Sequence, residues 1–139
     1  MSSRSNDIQT LFRALADRTR IRLLNLMRDD EVCVCFFVEI LKISQPKISR
    51  HLAYLRRAGL VSARREGKWM HYRIATPTDK RAAEVLTQAM SWMAEDRELQ
   101  RDRIAFEKVC CAPSPPVRLR RAPTPRPSVT GNKEVEDRM

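Results

Sequence analysis

The stretch from Ser44 to Ile74 constrains this chain more than any other part of it. Ser44 stands where a helix cap is expected, and Ile48, Leu52 and Leu55 follow at helical spacing. Pro46 falls in the first turn, where backbone N–H groups have no intrahelical partner. The segment ends at Gly59, the residue suited to a left-handed C-cap. Two short runs come next, Val61-Ser62-Ala63-Arg64 and Trp69-Met70-His71-Tyr72-Arg73-Ile74, flanking Glu66-Gly67-Lys68. That spacing predicts a two-stranded hairpin with glycine at its turn. A polar-faced helix followed at once by a basic hairpin is the order of a winged helix-turn-helix.

The charge supports that reading. The whole chain of 139 residues carries a formal net charge of +10. Between Lys42 and Arg73 there are nine basic residues and one acid, Glu66. A local basic excess on a near-neutral scaffold is the electrostatic footprint of a phosphate-backbone binder. If Ile48, Leu52 and Leu55 face inward, a step of about 100° per residue puts Pro46, Arg50, Ala53 and Arg57 on the opposite side. Gln45, Lys47, Ser49 and Tyr54 flank that side. Gln pairs well with adenine, and Arg or Lys with guanine, in the major groove of double-stranded DNA. Arg64, Arg65 and Lys68 at the hairpin are placed for phosphates or the minor groove.

The remaining elements follow from periodicity. Ile8, Leu11, Phe12 and Leu15 predict a helix over residues 8–16, and Asp17 caps a second that stops at Asp29-Asp30. Residues 32–41 form a third apolar segment. Asp79 opens one long helix expected to run to about Phe106 or Cys110. The fold class is therefore mainly α with a small β-hairpin wing. Residues 1–111 are expected to form one DNA-binding domain that carries the cysteines. Residues 112–139 hold six of the eight prolines and almost no large apolar side chains, so a disordered Pro/Arg-rich tail is expected there. No apolar run is long enough to span a membrane and no signal peptide is evident, so a cytoplasmic, reducing setting is expected.

In that setting four cysteines point to metal or redox chemistry rather than a disulfide framework. Cys33 and Cys35 form a C-x-C pair; Cys110 and Cys111 are adjacent. Thiolates suit soft ions: trivalent arsenic or antimony, copper(I), zinc or cadmium. Residues i and i+2 of a helix point about 200° apart, so Cys33 and Cys35 could share an ion only by distorting a helical segment. The same thiols could instead form reversible disulfides, the mark of a thiol redox-sensing repressor. An enzyme is not expected. Vicinal cysteines lack the C-x-x-C spacing of thioredoxin-like sites, and three glycines supply no phosphate loop.

Several blocks, in order and spacing, resemble the ArsR/SmtB family of metalloregulatory repressors, nearest to its arsenic-responsive members. They are Leu15-Ala16-Asp17-Arg18-Thr19-Arg20-Ile21-Arg22-Leu23-Leu24, Val32-Cys33-Val34-Cys35, Ser44-Gln45-Pro46-Lys47-Ile48-Ser49-Arg50-His51-Leu52, Gly59-Leu60-Val61 and Gly67-Lys68-Trp69-Met70-His71-Tyr72. Arg18 stands where the family commonly has proline. The resemblance implies a homodimer packed through its first and last helices on a palindromic operator. It implies trivalent arsenic (arsenite) as the inducer, with antimonite a second candidate, held by three sulfurs. Family members often carry a third cysteine three residues after the C-x-C; here that position is Val38, which leaves Cys110 or Cys111 as the substitute. The family's zinc-type site on the last helix uses histidine, and the only histidines here, His51 and His71, lie elsewhere.

Overall fold

The computed structural model describes residues 7–110 and 122–127. The described chain runs α1 (Ile8–Leu15), α2 (Arg18–Met27), β1 (Asp30–Cys33), α3 (Val34–Leu41), α4 (Gln45–Arg57), β2 (Val61–Glu66), β3 (Trp69–Ile74), α5 (Lys80–Met93), α6 (Arg97–Cys110) and β4 (Arg126–Pro127). This is the expected mainly α fold with a hairpin wing. The expected caps form at Asp17, which accepts from the Arg20 amide at 3.1 Å, and at Asp79, which accepts from Arg81 at 2.8 Å. Ser44 occupies the cap position of α4 with extended backbone, but its side chain makes no cap hydrogen bond.

The core is built where the apolar faces of these helices converge. Leu23, Leu24, Leu26 and Met27 of α2 meet Phe37 of α3, Ile48, Leu52 and Leu55 of α4, and Leu60 and Leu99, all fully buried. Each such leucine, taken out of water, contributes about 1.5–3 kcal/mol. The turn from α3 to α4 is made by Lys42, the one described non-glycine residue with positive φ, at 58°. Gly59 (φ 80°) ends the α4 turn, and Gly67 (φ 61°) makes the hairpin turn.

Two expectations are corrected. The first concerns residues 32–41, which divide into the end of a strand and a helix. β1 lies antiparallel to β3, with Val32 opposite Tyr72 and Cys33 opposite His71, in a sheet ordered β2-β3-β1-β4. The second is the single long C-terminal helix, which breaks after Met93. Ala94, Glu95 and Asp96 make tight backbone bonds three residues back, and Asp96 then caps α6 by accepting from the Leu99 amide at 3.1 Å. Of the tail expected at 112–139, residues 112–121 and 128–139 lie outside the described residues, and Arg126–Pro127 pairs with β1, Glu31 opposite Arg126.

The break at Asp96 lets α6 fold back along α2. Arg18 reaches Asp96 at 2.6 Å and Glu98 at 2.7 Å. One turn on, Arg22 forks onto Asp102, with Nε and Nη2 at 2.8 and 3.0 Å from its two oxygens. A further turn on, the buried Asn25 side-chain amide donates to the Leu99 carbonyl at 3.0 Å. Arg103 returns the contact by donating to the Leu26 carbonyl. Asp102 is only 7% exposed, so its charge depends on Arg22. Asp102→Ala is expected to cost about 3 kcal/mol, the low end for breaking a buried pair, because Arg22 keeps Glu98 at 3.7 Å. Urea unfolding measures this, and a loss under about 1 kcal/mol would reduce the pair to an ordinary surface contact.

Candidate nucleic-acid interface and thiolate site

α4 is held from behind and bare in front. Its inward residues Ile48, Leu52 and Leu55 are buried, while Gln45, Lys47, Ser49, Arg50, Arg56 and Arg57 are exposed. Arg20 of α2 does most of the holding. It donates to the Ala14 carbonyl through Nε and the Arg13 carbonyl through Nη2, each at 2.9 Å, so it caps the open end of α1. Its guanidinium then lies 4.0 Å over the Tyr54 ring, with Arg57 at 5.6 Å. His51 faces Arg20 at 3.4 Å and Asp17 at 3.9 Å. Burial keeps its imidazole below the ordinary range, with Arg20, Arg50 and Lys47 pushing the same way and Asp17 opposing. Tyr54, expected on the flank of the reading face, is thus half-buried between arginines. Arg20 stood within a recognised block, but nothing in its spacing announced a partner in α4.

The hairpin presents Arg65 and Lys68 as exposed cations, Lys68 sitting 5.1 Å over the Trp69 ring. Arg64, also expected at phosphate, is engaged within the sheet. It donates through Nε (3.0 Å) and Nη2 (2.7 Å) to the two oxygens of Glu31, a carboxylate only 5% exposed. That fork holds the Glu31 carboxyl below the ordinary carboxylate range.

The cysteine pair straddles an element boundary. Cys33 is the last residue of β1 and the cap residue of α3, with extended backbone (φ −72°, ψ 143°); Cys35 is in the first turn of α3. The two sulfurs lie 3.0 Å apart. The expected helix distortion is therefore unnecessary for the two to meet: the change from strand to helix already brings them together. Cys33 is fully buried and Cys35 partly so. The hydrogen bond from Cys35 brings the Cys33 thiol down to about 7, against burial and with help from the Cys35 and Val34 amides. The same bond, burial and the negative charge of Cys33 push Cys35 far above the ordinary thiol range. The pair thus holds one proton between two sulfurs near neutrality.

Cys110 ends α6, one turn beyond Phe106, whose ring meets Phe36 of α3 edge-on at 6.4 Å. It is partly buried against the core. Among the described residues it does not join Cys33 and Cys35 in a three-donor set, and no group of three Cys, His, Asp or Glu side chains does so. Cys111 lies outside the described residues.

Residues 17–63, from the α2 cap into β2, match the model of the family described as bacterial regulatory protein, arsR family. The chain is similar to the arsenical resistance operon repressor of Escherichia coli, 44% identical over 65% of this chain and 76% of that one. It is similar to the arsenic resistance transcriptional regulator ArsR2 of Pseudomonas putida, 38% identical over 73% of this chain and 95% of the relative. Among solved structures it resembles HlyU from Vibrio cholerae (TM-score 0.50, 31% identity, 63% of this chain and 96% of that one). It also resembles the AntR antimony-specific transcriptional repressor (TM-score 0.51, 26% identity, 68% and 84%).

The thiol geometry sets a pH dependence. One thiolate should appear in the ultraviolet spectrum with a midpoint of about 7, and Cys33→Ser should remove it. The folded value lies below the ordinary one, so the stability gained from the ionised pair is in place above the ordinary thiol range. It is lost as the pH falls through about 7. The stability gap between the parent and Cys33→Ser, followed by denaturation, should close on that side.

Proposed function

The chain belongs to the arsR family of bacterial regulatory proteins, and from that premise we propose that it is a dimeric, arsenite-responsive transcriptional repressor. On this reading α4 enters the major groove of operator DNA. Gln45, Lys47, Ser49 and Arg50 read base edges, and Arg65 and Lys68 steady the backbone. Trivalent arsenic, or antimony, is taken up by Cys33 and Cys35 as thiolates, and operator is released. The observation that carries this is the 3.0 Å approach of the two sulfurs at the β1–α3 junction, one short helix before the DNA-reading helix.

The donor set fits such an ion in kind: two soft sulfurs 3.0 Å apart, one of them with its thiol brought down to about 7. A third sulfur from Cys110 or Cys111 completes a pyramid if α6 or a partner subunit supplies it. Arsenite would exchange one hydroxyl for each sulfur, a water leaving per link, and so tie the end of β1 to the first turn of α3. Since α3 is joined to α4 through the left-handed turn at Lys42, a change of pose at that junction reaches the reading helix. If capture weakens DNA binding, DNA weakens capture by the same factor.

The dimer is supported by an apolar face that one chain leaves bare. Ile8 and Phe12 of α1 are 70% and 51% exposed, and Trp92 of α5 is 77% exposed. A groove between α1 and α5, lined by Ile8, Leu11, Phe12, Ala82 and Val85, continues that face. A second copy seated there would cover it and set two α4 helices on two half-sites.

Operator binding and release test these roles separately. Arg50→Ala should lose about 1–3 kcal/mol of operator binding and relax base preference at one position. Lys68→Ala should weaken all sequences alike and lower the salt slope by about 1. Cys33→Ser and Cys35→Ser should keep operator affinity and lose release by arsenite with reductant in excess. Release by peroxide alone, with arsenite inert, would replace metalloid sensing by thiol redox sensing through the same pair. A Cys33/Cys35 double mutant that still releases on arsenite overturns the inducer assignment.

A further inference from the structure

Glu31 precedes Cys33 by two residues, so the pleat of β1 sets both on one face of the sheet. Opposite Cys33 stands His71 of β3, and opposite His71 stands Arg64 of β2. The row Cys33, His71, Arg64 therefore crosses from the thiolate site into the hairpin. Charged groups fill it in. Arg64 forks onto Glu31. Glu66, the last residue of β2, lies 2.9 Å from Nε2 of His71, which is 2% exposed. Arg126 of β4 donates to Glu66 at 3.2 Å and lies 3.5 Å from Glu31. Arg64 also approaches Glu66 at 3.8 Å.

A buried carboxylate keeps its charge only while its partner follows it. Both oxygens of Glu31 are engaged by one planar fork, so rotation or translation of β1 must be matched by Arg64 or the bond breaks. The geometry points to Glu31 and Arg64 as a positioning pair that ties the pose of the hairpin to the state of the cysteine pair. The thiolate site then acts on DNA along two arms. One runs through α3 and Lys42 to α4. The other runs through Glu31 and Arg64 to the wing, with His71–Glu66 as a parallel strut. This inference rests on the reading of Cys33 and Cys35 as the inducer site. It gives Arg64 the work of transmitting, where its charge alone suggested contact with phosphate.

The test uses the full chain labelled with fluorotryptophan. The two tryptophans report on different places: Trp69 opposite Glu66 in the hairpin, and Trp92 on α5. Trp69→Phe assigns the fluorine resonances. In the parent, arsenite should bind, as followed by thiolate–metalloid absorbance, shift the Trp69 resonance and raise the operator dissociation constant. Arg64→Lys keeps the charge and loses the fork; Glu31→Gln keeps the shape and loses the charge. Both should still bind arsenite, with the Trp69 shift abolished and the arsenite-induced change in operator affinity cut by about tenfold, within the ordinary range of coupling between sites. If Glu31→Gln does not fold, Arg64→Lys, altered on a half-exposed side chain, carries the test alone. A Trp69 shift and a release ratio unchanged in Arg64→Lys overturn the inference while the inducer site stands. Absence of arsenite binding in the parent overturns both.

Discussion

Between Cys33 and Val34 a strand becomes a helix with no connecting residue, and much of the molecule is organised by that junction. On its strand side, the register with β3 fixes where the hairpin lies. On its helix side, α3 runs for two turns to Lys42 and delivers α4. A linker of even a few residues would let these halves move independently. Because there is none, the orientation of the reading helix and that of the wing refer to the same few atoms. The junction is also where the chain puts its close pair of thiols. The extended backbone at Cys33 and the helical turn at Cys35 converge their sulfurs, and the first amides of α3 favour negative charge on one of them.

Acidic residues are spent on the scaffold, which leaves the cations of α4 and the hairpin tip without carboxylate partners among the described residues. Asp96, Glu98 and Asp102 hold Arg18 and Arg22 between α6 and α2. Asp17 caps α2 and faces His51. Glu31 and Glu66 bind Arg64, Arg126 and His71 within the sheet. Lys47, Arg50, Arg65 and Lys68 have no carboxylate within ion-pair distance among the described residues. The positive field is thus a consequence of where the negative charges were used, as much as of how many positive ones there are.

Most of what the sequence made legible had its determinant within a turn or two of the residue concerned, the Ser44 cap being an exception in its side-chain bond. The inward face of α4, the aspartate caps of α2 and α5, and the glycine turn of the hairpin all follow from neighbours in the chain. The strand at 30–33 did not, because a short apolar run such as Val32-Cys33-Val34-Cys35-Phe36-Phe37 suits strand and buried helix equally, and only pairing with β3 decides. The break at Asp96 was hidden for a related reason. Its side chain reads as a helical surface acid until Arg18, 78 residues earlier, is placed beside it. Arg64 shows the same limit at the candidate site: a cation in a basic hairpin was assigned by composition, and a buried acid 33 residues away determines what it touches. Arg18 itself, noted only as a departure from proline, became one of the residues that turn α6 back.

The two residues of β4 have a bearing on how this protein behaves in a crowded solution. An open strand edge offers unpaired amides and carbonyls to any other extended chain, which is how sheets recruit neighbours and precipitate. β1 would present such an edge beside buried Val32 and Cys33. Arg126 and Pro127 occupy it from within the same chain, and the proline opposite Asp30 has no amide to pass the ladder on. On this side the sheet therefore ends on a residue with no amide to donate, and the edge of β1 is closed to other extended chains.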